Sequence, residues 1–168
     1  LHMGQGDRLW ALLRHTPDPR LRTWITRSLS SANVDPPLLA AQLLDKPESD
    51  VSIRRALLLA LGNYLDPASV DRSTLAPKIL QLLEDDPDAG VHAAAEWVLR
   101  QWKLDTEIAA WEGTTGAQVT RNELNWCLNG QGHTMIRFAG PIEYRMGSPA
   151  SEVGRNNNET MHRQRIDR

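Results

Sequence analysis

Cysteine is almost missing from this sequence: Cys127 is the only one among 168 residues. That count excludes a disulfide framework within the chain and a thiolate zinc cluster. Neither sign of charge dominates. Lys and Arg total 19 and Asp and Glu total 21, a net charge of −2, so the general basic excess of a nucleic-acid binder is lacking. The longest apolar run, Ala56 to Gly62, is far too short to span a membrane. No basic stretch followed by an apolar one opens the chain, so no secretion signal is visible. The sequence starts at Leu1 rather than Met. The expectation is therefore an excerpt of a longer, multidomain bacterial protein, with the cytoplasm as the favoured location.

What is present is unevenly spread. Residues 1–112 are rich in Leu and Ala, lean acidic and hold five of the six Trp. Residues 113–168 lean basic and hold seven of the eleven Gly and the single Phe. That contrast predicts a mainly α chain whose helical part, 1–112, passes through a Gly-containing linker, 113–125, into a β- and turn-rich segment, 126–168.

An internal repeat fills the first part. Three stretches share one layout: Leu12–Arg22, Leu43–Arg54 and Leu82–His92. Each has a Leu pair, then a polar turn with Pro17, Pro47 or Pro87, then an acid, then an apolar residue at Leu21, Ile53 or Val91. The proline ends a first helix, because the residue before it is pushed out of helical geometry. Asp18, Asp50 or Asp88 then caps a second helix. Apolar stripes at helical spacing follow: Leu21, Trp24, Ile25, Ser28 and Leu29; Ile53, Ala56, Leu57, Ala60 and Leu61; Val91, Ala94, Ala95, Val98 and Trp102. The spacing predicts helices near 7–14, 19–31, 36–44, 51–64, 74–84, 89–102 and 105–111. Leu21, Ile53 and Val91 stand 32 and 38 residues apart, and a spacing of this length is the mark of a stacked array of helical hairpins, an α-solenoid of about three units.

The starts of the second helices are Asp18-Pro19-Arg20-Leu21-Arg22, Asp50-Val51-Ser52-Ile53-Arg54 and Asp88-Ala89-Gly90-Val91-His92. With Ala56, Ala60 and Ala94 behind them they resemble the HEAT family of repeats. Trp24 departs from that pattern, standing where small residues usually sit. The resemblance implies an interaction scaffold whose partner, a protein, meets the face lined by the second helices. That places Arg22, Arg27, Arg55, Glu96 and Arg100 at or near the partner-facing surface. The same charges also suit an ordinary solvated helix face.

In the last part Asn129-Gly130 predicts a two-residue hairpin turn with both central residues at positive φ, and arms near 125–128 and 133–138. Further strands are predicted at 142–146 and within 159–166. The run Gly132-His133-Thr134-Met135-Ile136-Arg137-Phe138-Ala139-Gly140-Pro141-Ile142-Glu143-Tyr144-Arg145-Met146-Gly147-Ser148, followed by Glu152 and by Asn158 to Ile166, resembles the opening of the formylglycine-generating enzyme, or sulfatase-modifying factor, family. Met161 stands where that family commonly has Pro, and Gln164 interrupts its apolar pattern. The resemblance implies an incomplete α+β domain akin to the C-type lectins. In a complete parent it implies copper or non-haem iron and an oxidase whose catalytic residues lie beyond residue 168. No catalytic or metal-ligating residue is assigned in this chain, and no cofactor is expected for it alone. Cys127 reads as a packed strand cysteine, and His133 and His162 have no ligand spacing. Trp97, Trp102 and Trp111 read as core and helix-packing anchors rather than a ligand box. The basic tail of Arg155, Arg163, Arg165 and Arg168 lacks the interleaved aromatics of a nucleic-acid surface.

Overall fold

The structure, a computed structural model, describes residues 5–45, 50–114 and 123–167. The turn around Pro47 and most of the expected linker lie outside the described residues. The described chain is mainly helical with two small antiparallel strand pairs. In order come α1 (Gln5–Ala11), α2 (Arg20–Ser31), α3 (Pro36–Leu44), α4 (Val51–Leu61), α5 (Arg72–Asp85), α6 (Ala89–Gln101) and α7 (Asp105–Thr114). Then follow β1 (Trp126–Leu128), β2 (Thr134–Ile136), β3 (Ile142–Met146) and β4 (His162–Ile166).

Local chemistry sets the helix starts. Asp50 accepts from the Ser52 N–H at 2.8 Å, Asp71 from Thr74 at 3.2 Å and Asp88 from Val91 at 2.8 Å, each satisfying an orphan donor. The Asp71 cap starts α5 two residues ahead of the sequence expectation. Asp18 is the exception among the expected caps. Pro19 occupies the cap position of α2, and Asp18 instead takes the Arg20 N–H at 3.1 Å and its guanidinium at 2.6 Å.

The helices pack in neighbouring pairs: α3 on α4, α5 on α6, and α4 between α2 and α6. Their apolar stripes make one core. Ile53, Ala56, Leu57, Ala60 and Leu61 are all buried, as are Val91, Ala94, Ala95, Val98 and Trp102. The first stripe differs. Ile25 and Leu29 are buried, but Leu21 is 52% and Trp24 67% exposed. The buried side of α2 has turned to Ile25, Thr26 and Leu29, the residues that face α4.

Polar clamps join residues about one repeat apart. The Arg22 guanidinium donates to Ser52 O at 3.0 Å, and the Tyr64 hydroxyl donates to Val34 O at 2.6 Å. Arg54 pairs with buried Asp86, and Arg55 grips Asp88 through two bonds of 2.8 and 2.6 Å. Arg72 reaches Trp102 O at 3.5 Å and lies 5.5 Å over its ring, a cation–π contact. The sequence separations of these contacts run from 30 to 33, and two more, the His15 N–H to Ser52 Oγ and the Asn63 amide to Thr26 O, span 37.

The chain divides into two compact units, Leu1–Ile136 and Arg137–Arg168. The β1–β2 hairpin, which composition assigns to the C-terminal segment, therefore belongs with the helices. Trp126 is fully buried, and its indole N–H donates to Asp86 O at 2.8 Å. The Asn125 N–H donates to Pro87 O at 2.9 Å. The hairpin is thus fastened to the α5–α6 turn, where a large aromatic side chain finds apolar area to bury. Its own turn also departs from expectation. Asn129 and Gly130 are not at positive φ; Gly132 is, at +81°. The Asn129 side chain accepts from the Gln131 and His133 N–H groups at 3.0 and 2.9 Å, bracing a longer loop with one left-handed glycine.

In the second unit β3 and β4 pair antiparallel, with Ile142 opposite Ile166 and Met146 opposite His162. One face carries Ile142, Tyr144 and Met146, the other Glu143 and Arg145 opposite Arg165 and Arg163. Gly147 sits at φ +95°, and a Cβ there would lie 2.5 Å from Thr160 O. That approach lets the Ser148 N–H donate to Glu159 O at 3.0 Å.

Candidate functional site

The face bearing α2, α4 and α6 holds an open groove of about 610 Å³. Three elements build it. α2 supplies Arg22, Thr23, Thr26 and Arg27; α4 and the turn after it supply Leu59 and Asn63; α6 supplies Trp97. The place of Trp97 in it depends on Gly62 having no side chain. A Cβ there would stand 2.2 Å from the Trp97 ring, so the indole lies directly over the end of α4. Trp97 and Leu59 are both half-buried, so an apolar patch remains open between polar walls.

Those walls are braced. The Asn63 amide donates to Leu59 O at 3.0 Å, and the Thr26 hydroxyl donates to Arg22 O at 2.9 Å. Arg22 is held by Leu13 O at 2.9 Å as well as by Ser52 O. Burial and the neighbouring Arg55 push its pKa down, so it is a cation kept partly out of water without a carboxylate partner among the described residues. Arg27 is exposed and likewise has no carboxylate partner among the described residues. Among the described residues no acidic side chain lines the groove. Its chemistry is an aromatic floor with two arginines on one wall.

The five residues singled out from sequence do not converge. Arg22 and Arg27 line this groove. Arg55 is spent on Asp88. Burial alone would raise the Asp88 carboxyl, but the Arg55 guanidinium and the Val91 N–H outweigh it and hold the pKa low. Glu96 and Arg100 form an i,i+4 pair at 2.7 Å, and Arg100 also meets Asp105 at 3.2 Å and Glu112 at 3.7 Å. The α6–α7 end of the helical unit therefore carries three carboxylates around one arginine, while Arg22 and Arg27 of α2 have no carboxylate partner among the described residues. Sequence reading took Trp97 as a packing anchor like Trp102 and Trp111, and it missed Thr23, Thr26, Leu59 and Asn63. Only the Gly62–Trp97 approach reveals them, and those residues stand 35 positions apart.

A second feature is buried. His92 is fully inaccessible, and its Nδ1 lies 2.6 Å from Leu83 O. Its ring stacks on Trp126 and tilts against Trp111. Nε2 has no hydrogen-bond partner among the described residues. Desolvation pushes the His92 pKa down, so the ring is neutral at pH 7.

The residues of the C-terminal signature give no such concentration. Cys127 is half-buried on β1; His133 and His162 are exposed, and the His162 Nδ1 lies 2.9 Å from Thr160 O. Among the described residues no three His, Cys, Asp or Glu side chains come together as a metal site, and no helix is long and apolar enough to cross a membrane. No family model matches the chain, and no curated protein or solved structure matches it either.

Proposed function

We propose that residues 1–112 are a HEAT-type array of helical hairpins serving as a protein-interaction scaffold. In this reading residues 126–168 carry the opening of a sulfatase-modifying-factor-like domain of a larger protein. The recurrence of polar contacts at separations of 30 to 37 residues supports the array, because a stack of like units repeats its contacts at about its own period. The observation that carries the function is the groove over Gly62: a concave, partly apolar surface with a half-buried tryptophan and convergent polar groups. Its residues hold no nucleophile paired with a base and no acid–base pair, so it suits recognition rather than chemistry.

The test is selection of extended peptides from a random display library on the immobilised full chain. The selected peptides should lose binding by about tenfold or more with Trp97→Ala or Arg27→Glu, as truncation of a buried interface anchor does, while the circular dichroism spectrum is unchanged. Selected peptides that bind both variants as they bind the wild type would remove the groove from the reading.

A further inference from the structure

The outward side of α2 is the exception to the burial pattern of the repeat. Leu21 and Trp24 correspond to Ile53 and Ala56 in the second stretch and to Val91 and Ala94 in the third. Those four are 5%, 0%, 0% and 6% exposed, whereas Leu21 and Trp24 are 52% and 67% exposed.

The neighbours of these positions show which way the face looks. Ser52, one residue before Ile53, accepts a bond from the His15 N–H at 2.9 Å, 37 residues back. Gly90, one residue before Val91, packs so closely on Arg55 that a Cβ would stand 2.3 Å from Nε. On that side Ser52 meets the turn at His15, and Gly90 meets the Arg55 side chain of α4. α4 is also packed on α3, and α6 on α5, whereas α2 has no comparable packing on α1 among the described residues. A helical mate is what the two later helices have and α2 lacks.

The charge around it is one-sided. Residues 8–31 hold five Arg and one Asp, in a chain whose net charge is −2. Asp18 is taken up by Arg20, and Arg27, three residues beyond Trp24, has no carboxylate partner among the described residues. A second copy of α2 laid across the first would set arginines against arginines, and like charges across an interface are penalised. Trp24 also replaces the small alanines of the later stretches. A bulky exposed indole flanked by arginines has the composition of an interface anchor, not of a close helix–helix stack.

We infer that the Arg20–Leu21–Trp24–Arg27 face of α2 docks an acidic amphipathic helix, whose apolar stripe covers Leu21 and Trp24 and whose carboxylates meet Arg20 and Arg27. Arg27 borders the groove as well, but Arg20, Leu21 and Trp24 do not line it, so variants at those residues test this face separately from the groove.

The probe is a displayed library of 18-residue helices with fixed Leu at i, i+3, i+4 and i+7 and each remaining position drawn from Glu, Lys, Gln and Ala. Selection on the full chain should enrich Glu. Chosen helices should bind at least about tenfold more weakly to Trp24→Ala and to Arg20→Glu, neither of which lines the groove, since loss of a central anchor has that effect. Binding should also weaken as salt is raised. Both side chains are exposed, so the variants keep the fold, checked by circular dichroism. Several outcomes would overturn the inference. These are enrichment of Lys, no enrichment, or helices indifferent to Trp24→Ala. Dimers in sedimentation that dissociate in Trp24→Ala would assign the face to a second copy instead. Adsorption to anionic vesicles that Trp24→Ala abolishes, without helix binding, would assign it to a membrane surface.

Discussion

His92 and Trp126 lie ring on ring, with centroids 3.7 Å apart and planes 28° from parallel. Both are fully buried, and the indole N–H is bound to Asp86 O. His92 occupies the same place in its stretch as Arg22 and Arg54 do in theirs. Those arginines reach forward to Ser52 O and Asp86. The third stretch ends in a stack on the hairpin instead.

Trp126→Ala should therefore destabilise the helical unit by about 3–5 kcal/mol, the range for removing a buried large aromatic. Urea denaturation followed by circular dichroism at 222 nm measures it. A midpoint equal to wild type would show that the hairpin contributes nothing to the helices.

The buried histidine makes stability depend on pH. The folded-state pKa of His92 lies below the ordinary 6.5. Between those values the unfolded chain binds a proton that the folded chain does not. Stability from this group is complete above pH 6.5 and declines as pH falls below it, by at most about 1.4 kcal/mol per pH unit. His92→Gln should flatten that part of the denaturation-versus-pH curve. Identical slopes in the two proteins would mean that His92 is not the group responsible.

Arg54→Ala should cost about 3–5 kcal/mol, because it leaves the Asp86 carboxylate, 3% exposed, without its cation. The double variant Arg54→Met with Asp86→Leu removes both charges and should lie closer to wild type than Arg54→Ala. A double variant less stable than Arg54→Ala would show that the pair itself contributes more than the apolar replacement.

At Gly62 the expected sign depends on Trp97. Gly62 has helical φ and ψ of −65° and −15°, so alanine meets no backbone strain there. Its Cβ would nevertheless collide with the indole, and Gly62→Ala should destabilise by about 1–3 kcal/mol, as overpacking does. In a Trp97→Ala background the same change should be neutral or stabilising by up to about 1 kcal/mol. Equal effects in both backgrounds would contradict the close approach.

Local patterns carried much of the fold. Apolar residues at helical spacing placed all seven helices to within a few residues, and Asp50 and Asp88 announced the starts of α4 and α6. Strands β3 and β4 were also legible from alternation and turns. The turn after β1 was not, because Asn129 spends its side chain on the loop rather than on a left-handed backbone. The candidate site was legible only in part. Arg22 and Arg27 were named, but Trp97 looked like the buried Trp102 until its contact with Gly62 separated them.

By itself the sequence determined where the helices lie and the Asp50 and Asp88 caps, since each depends on residues within a turn or two of one another. Tertiary structure decided which repeated positions are covered. Leu21 and Ile53 read alike in sequence, yet one faces water and the other a core. Burial depends on what lies across a gap of 30 or more residues, and no local pattern encodes that. The same holds for the hairpin: Trp126 joined the helices because the α5–α6 turn offered its ring a buried surface and its N–H a carbonyl.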